Sequence, residues 1–81
     1  MIELINKDGL SVSKNSKAIH EELFRGTGCV MGDGASIFVQ NESITEKYIV
    51  ISKDNDLKTD QRFAASRFDE ALELFQKWLS Q

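Results

Sequence analysis

The sequence predicts a single α+β domain spanning residues 1–81, in which two helices pack on one face of an antiparallel β-sheet of about four to five strands. Two stretches carry apolar side chains at helical spacing, and the remaining apolar stretches are short, alternating or rich in β-branched residues. Turn residues separate these short stretches. The predicted order is therefore strand, strand, helix, four strands and helix (ββαββββα).

The first two strands form a hairpin around Asp8-Gly9, a strong turn signal because glycine takes a positive φ without steric cost. Residues 1–6 form a short apolar strand, and Leu10 and Val12 alternate with serines after the turn. The alternative is that residues 10–13 make a short turn into the first helix.

The first helix begins at Asn15 or Ser16, either of which can cap it, and runs to about Arg25. Gly26 follows and is expected to end the helix in the left-handed conformation. The apolar side of this helix consists of Ile19, Leu23 and Phe24. His20 lies at the border of that side.

The central part of the chain predicts strands. Two apolar runs within residues 28–40 flank Gly32-Asp33-Gly34, which predicts a second hairpin. Tyr48-Ile49-Val50-Ile51 is apolar at both alternations, the pattern of a strand that is buried on both faces. Residues 62–66 carry alternating apolar side chains and predict an edge strand that leads into the last helix.

The last helix, predicted over residues 66–81, is the clearest element. Its apolar side consists of Phe68, Ala71, Leu72, Phe75, Trp78 and Leu79. Ser66 and Asp69 have the spacing of a capping box, in which each side chain accepts a hydrogen bond from a backbone N–H at the start of the helix. We expect Leu72 and Phe75 to cover the sheet.

The composition disfavours several classes of protein. A net charge of −3 disfavours nucleic-acid binding, because such proteins usually neutralise phosphates with a basic patch. The single Cys29 excludes an internal disulfide and a cysteine-based zinc site, and it fits a reducing compartment. No apolar run is long enough to span a membrane, and no signal-like segment precedes Ile2. We therefore expect a cytoplasmic protein.

No motif predicts catalysis, a cofactor or a metal ion, so we expect that the protein is not an enzyme. The two glycine-rich turns lack the Gly-Lys-Ser/Thr ending of a phosphate-binding loop. Cys29 and His20 could act as nucleophile and base only within hydrogen-bond reach, which nothing in the sequence predicts. The acidic residues from Asp54 to Asp60 lack the glycine and the glutamate of a calcium-binding loop.

Leu74 and Trp78 make the apolar side of the last helix wider than core packing requires. One interpretation is that the helix is buried more deeply. The other is that both side chains stay partly exposed and contact a partner, since tryptophan is enriched in interface hot spots. The candidate partner-binding residues are these two and their charged neighbours: Glu70, Glu73, Leu74, Lys77 and Trp78.

These observations favour a small, acidic, non-catalytic protein-binding module that inhibits or regulates a larger protein, of the kind that bacteria and phages use. The acidic surface of the last helix would steer the module toward a basic patch on that protein. A free edge of the sheet is an alternative docking surface, and it could equally support a homodimer. No cofactor and no membrane partner are expected.

The alternative function is nucleic-acid binding by the exposed face of the sheet. The order strand, polar loop, strand and helix from Tyr48 to Leu79 resembles in layout the modules of a three-stranded sheet and one helix with which integrase arm-binding domains place strands on DNA. The resemblance implies basic and aromatic residues on the exposed face. The stretch around it offers Lys47, Lys53, Arg62 and Arg67, balanced by acidic residues, so we do not assign the family.

Overall fold

A computed structural model describes residues 4–52 and 60–79. The chain is an α+β protein with the predicted order of elements. These elements are β1 (Leu4–Asn6), β2 (Ser11–Val12), α1 (Ser16–Arg25), β3 (Cys29–Gly32), β4 (Ala35–Val39), β5 (Tyr48–Ser52), β6 (Asp60–Phe63) and α2 (Phe68–Trp78), with a 3₁₀-helix at Ala65–Arg67 before α2.

All strands of the described residues belong to one antiparallel sheet in the order β2-β1-β3-β4-β5-β6. The sheet therefore has six strands and not the predicted four to five. The difference arises because the first hairpin joins the same sheet, with Ile5 opposite Met31 and Asn6 opposite Val30. β1 and β3 are far apart in the sequence, so no local sequence pattern predicts that they pair.

Both predicted hairpins are confirmed, and side chains or glycines explain their turns. In the first, the Asn6 side-chain oxygen accepts hydrogen bonds from the N–H groups of Asp8 (2.9 Å) and Leu10 (3.0 Å). Gly9 has a φ of +84°, which other residues adopt at a cost. In the second, Gly34 has a φ of +94° between β3 and β4.

The first helix has the predicted bounds, but the predicted left-handed stop is wrong, because Gly26 has a φ of −110°. The Asn15 side chain caps it by accepting a hydrogen bond from the N–H of Ala18 (3.1 Å). After the helix, the Glu22 carboxylate accepts hydrogen bonds from the N–H (2.7 Å) and the hydroxyl (2.9 Å) of Thr27. These bonds, the backbone one above all, lower the pKa of Glu22. Of the predicted apolar side, Phe24 is 43% exposed.

The last helix differs from its prediction at both ends. Ser66 lies in the 3₁₀-helix, Arg67 is the residue before the first turn, and no side chain caps that turn, so the predicted Ser66–Asp69 capping box is wrong. The helix ends at Trp78, and residues 80–81 lie outside the described residues. The predicted loop from Asp54 lies outside them too, apart from Asp60.

The core lies between the two helices and one face of the sheet, which we call the inner face. Leu72 and Phe75 of α2 are buried, as predicted, in one cluster with Ile37 and Val50 of the sheet. Leu23 of α1 belongs to the same cluster. One continuous core therefore holds both helices to the sheet.

The opposite face of the sheet, which we call the outer face, is not covered by either helix. Its strand positions are Ile5, Ser11, Cys29, Met31, Ser36, Phe38, Ile49, Ile51, Asp60 and Arg62. The prediction that β5 is buried on both faces is wrong, because Tyr48 and Val50 are buried while Ile49 and Ile51 are only half-buried. Neither helix of the described part of the chain packs on the apolar side chains at these outward positions.

Candidate partner-binding groove

An open groove lies between α2 and the edge strand β6. It forms because α2 packs over β4 and β5 and reaches β6 only along its flank. The groove has a volume of about 390 Å³. Its lining residues are Gln61, Phe63, Glu70, Glu73, Leu74, Lys77 and Trp78. All five residues predicted from the last helix therefore line one surface feature.

The bottom of the groove is apolar. Phe63 is buried, and Leu74 and Trp78 are half-buried against the core. Leu74 and Trp78 are four residues apart on α2, so they lie one above the other on the side of the helix that faces β6. Each side chain packs on the core and also lines the groove, and contact with a partner stays a prediction.

The rim of the groove is polar. The guanidinium of Arg67 donates two hydrogen bonds to the Glu70 carboxylate, at 2.6 and 2.7 Å. This fork-shaped contact lowers the pKa of Glu70 below the ordinary value of a glutamate. Glu73 and Lys77 are exposed on the same side of α2. The rim thus offers both signs of charge around an apolar bottom.

The groove adjoins a sheet edge. β6 is the last strand in the sheet order, so one of its backbone edges has no strand partner within residues 4–52 and 60–79. The inward residues of β6, Gln61 and Phe63, line the groove, whereas Asp60 and Arg62 point to the outer face. An extended segment could therefore lie along β6 and place a side chain over Phe63.

Gln61 and Phe63 were absent from the predicted site. Phe63 was predicted as one of the alternating apolar residues of an edge strand, but that strand could not be placed beside α2 without the sheet order. The signal that could have found it is the direct connection from β6 into the last helix, which keeps the two elements adjacent in space.

The structure does not bring His20 and Cys29 together. The His20 ring packs against Phe24 and Phe68, with centroids 4.4 and 4.9 Å apart, on the helix side of the protein. Cys29 is buried and lies on the outer face, since it alternates with the inward Val30. Within the described residues, no three His, Cys, Asp or Glu side chains are placed to hold a metal ion.

The outer face, on which the alternative function depends, carries one cation at a strand position of the described residues. This is Arg62, which lies 3.0 Å from Asp60 and 3.9 Å from Glu46. Neighbouring positions are apolar. Among residues 4–52 and 60–79, the face thus offers a stacking surface at Phe38 but no basic patch for phosphates.

The comparisons with known proteins assign no family to this chain. No protein-family model matches the chain, and neither does any curated protein or solved structure with which we compared it. The similarity to integrase arm-binding modules is therefore one of layout only. Among the described residues, no helix is long and apolar enough to cross a bilayer.

Proposed function

We propose that the protein is a small, acidic, non-catalytic protein-binding module that inhibits or regulates a larger protein by covering part of its surface. The observation that carries this proposal is the groove between α2 and β6, because five residues singled out for their chemistry line it together. A bacterial or phage origin and a cytoplasmic location are part of the proposal, and a chain with the single cysteine Cys29 fits such a reducing compartment.

The partner would be a protein segment with one apolar anchor side chain. Phe63, Leu74 and Trp78 supply an apolar bottom for it, and the volume of about 390 Å³ is in the range of sites that take a large side chain. Aromatic residues that are partly buried before binding lose little conformational entropy when a ligand covers them. Trp78 is therefore the expected centre of the binding energy.

The charged rim would favour a segment with a basic residue beside the anchor. Glu73 is exposed on the rim, while Glu70 is already bonded to Arg67. The net charge of −3 acts in the same direction, since it raises the rate of encounter with a basic partner. Exposed charges contribute more to the rate and to specificity than to affinity.

Nucleic-acid binding remains the alternative, and the observations support it less. Arg62, the cation at a strand position of the outer face among the described residues, lies on the edge strand β6 and is already paired. A mobility-shift titration at two salt concentrations separates the two functions. A complex that weakens steeply with salt would favour nucleic acid, because phosphate binding releases counterions.

The test of the protein-binding proposal is selection of peptides from a displayed random library on the folded protein. Enriched peptides should share an apolar residue, with a basic residue near it. Their binding should change the emission of Trp78, the single tryptophan of the chain, and protect it from a soluble quencher. Calorimetry with Trp78→Ala should show a loss of affinity of roughly 30-fold or more.

Leu10→Ala is the matched control, because Leu10 is 64% exposed and lies outside the groove. It should bind the selected peptides like the unmodified protein. Glu73→Lys should weaken peptides with a basic residue by a few-fold and leave neutral ones unchanged. Selected peptides that bind equally to Trp78→Ala would refute the groove as the site.

A further inference from the structure

The outer face of the sheet carries a contiguous apolar surface that neither helix covers. Its large side chains are half-buried by their neighbours on the sheet. They are Ile5, Met31, Phe38, Ile49 and Ile51. Strands that are apolar at both alternations are typical of sheets with both faces covered. Contiguous apolar surface that is left open to solvent often marks an interaction surface.

The register of the strands arranges this face in two rows. In each row, every residue lies directly opposite the next one on the neighbouring strand. The first row is Ile5, Met31, Ser36, Ile51 and Asp60. The second row is Cys29, Phe38, Ile49 and Arg62. The rows are about 7 Å apart, since outward side chains recur every second residue.

The two rows complement each other in size. Two copies can bring their outer faces together around a two-fold axis that lies between the two sheets. If this axis runs perpendicular to the strands and midway between the rows, the first row of one copy faces the second row of the other. The facing pairs are Met31 with Cys29, Ser36 with Phe38, Ile51 with Ile49, and Asp60 with Arg62. Large side chains meet small ones on β3 and β4, as an isologous interface requires.

The surface relief agrees with this pairing. Ser36 and Cys29, the two small residues, are only 1% and 5% exposed and lie below their larger neighbours. A depression of about 280 Å³ opens beside Cys29, lined in part by Met31 and Phe38. The Met31 side chain of a second copy would lie over that depression. Methionine adapts well to such irregular spaces.

The charges of the outer face are also self-complementary. Asp60 and Arg62 occupy the same strand in different rows, so the two-fold axis places each opposite its counterpart of opposite sign. Arg62 is already paired with Asp60 and lies near Glu46 within one copy. The face thus brings no like charges together, although the whole chain carries a net charge of −3.

We propose that the outer face binds the outer face of a second copy of this chain, forming a two-fold sandwich of two sheets with the helices outside. Five strands about 4.8 Å apart and two rows of side chains give a footprint of roughly 400 Å² per copy. The total buried area is then roughly 800 Å², the size of a weak, transient interface. We therefore expect a weak dimer, in which the two α2–β6 grooves remain accessible.

The test is sedimentation of the full chain over roughly 1–500 μM, a range that brackets weak specific dimers. The unmodified protein should pass from monomer to dimer within it. Ile49→Glu, which buries a carboxylate against Ile51 of the other copy, should raise the dissociation constant at least ~100-fold. Ile44→Glu is the matched control, because Ile44 is 79% exposed and lies outside the outer face. It should dimerise like the unmodified protein.

Charge-reversal variants test whether Asp60 of one copy lies opposite Arg62 of the other. They change exposed side chains, so they do not depend on whether Ile49→Glu folds. Arg62→Asp places two carboxylates opposite each other and should weaken the dimer by roughly 3- to 10-fold. The double variant Asp60→Arg/Arg62→Asp should restore the dissociation constant to within about twofold. A monomer at every concentration would overturn the proposal. A dimer that Trp78→Ala dissociates while Ile49→Glu does not would overturn it too.

Discussion

Truncation of Trp78 should cost the fold less than truncation of the neighbouring core aromatic Phe75, because only one side of Trp78 faces the core. Phe75 is fully buried, so its removal leaves an enclosed cavity. Phe→Ala at such sites costs about 3–5 kcal/mol. Trp78 lines the open groove, so solvent enters the space that the indole leaves and no closed cavity forms. The remaining cost is the transfer of the buried part of the ring, about 1–2 kcal/mol.

The assay is urea unfolding followed by far-UV circular dichroism, since Trp78→Ala removes the single tryptophan. A loss of about 1–2 kcal/mol corresponds to a fall of about 5–15 °C in Tm for a domain of this size. Trp78→Ala should therefore remain folded at 25 °C, whereas Phe75→Ala should lose most of its stability. Equal losses in the two variants would refute the reasoning, because they would show that Trp78 is a core residue and that the groove is not a binding surface.

Three further predictions concern the fold. Glu22 has a lowered pKa, so its bonds to Thr27 stabilise the protein above the ordinary carboxyl pKa, and this contribution is lost as the pH falls through the lowered value. Glu22→Gln should therefore lower the free energy of unfolding at pH 7 by about 1 kcal/mol, and in urea titrations the difference should shrink as the pH falls below the ordinary carboxyl pKa. Ser36→Ala should leave stability unchanged or raise it by up to about 1 kcal/mol in dilute protein, because the buried hydroxyl has no hydrogen-bond partner among the described residues; a loss of more than that would reveal a partner. Gly32→Ala would place a Cβ 2.5 Å from a methyl carbon of Leu79 and should lower the free energy of unfolding by about 1–3 kcal/mol, measured by thermal unfolding. The double variant with Leu79→Ala should lose less stability than the sum of the two single losses.

The elements themselves could be predicted because their signals are local. Asn15 caps α1 as predicted, and the turns at Gly9 and Gly34 contain the positive φ angles that their sequences indicated. The apolar spacing of α2 correctly placed Leu72 and Phe75 in the core. In each case, a few neighbouring residues determine the backbone, so distant parts of the chain are not needed for the inference.

The misplaced start of α2 shows where local reasoning fails. Ser66 and Asp69 have the right spacing for a capping box, but the chain first makes a 3₁₀-helix at Ala65–Arg67. The N–H of Ala65 donates a hydrogen bond to the carbonyl of Ile44, a residue on a distant loop. That contact sets the direction in which the chain leaves β6, and the first turn of α2 is then next to the Arg67–Glu70 ion pair instead of a side-chain cap.

Five of the seven residues that line the candidate groove could be predicted from the sequence, because they all lie on the last helix. The five residues on α2 share one helical surface, so their adjacency follows from the helix alone. Gln61 and Phe63 join them only because β6 pairs with β5 at one end of the sheet, and strand order is a property of the whole chain. The part of the site that could not be predicted is therefore β6, which forms the second side of the groove.

The wrong prediction for β5 has the most consequence for function. The apolar side chains of Ile49 and Ile51 indicate that these positions are compatible with burial. The sequence pattern does not indicate whether the same chain or another molecule buries them. The described chain covers one face of the sheet with α1 and α2, and the other face keeps its apolar residues in two rows of complementary size and charge. A side chain such as Ile51 costs little to expose singly, whereas a contiguous set of them favours association. The pattern is therefore explained if burial on the second face is completed between two copies of the chain.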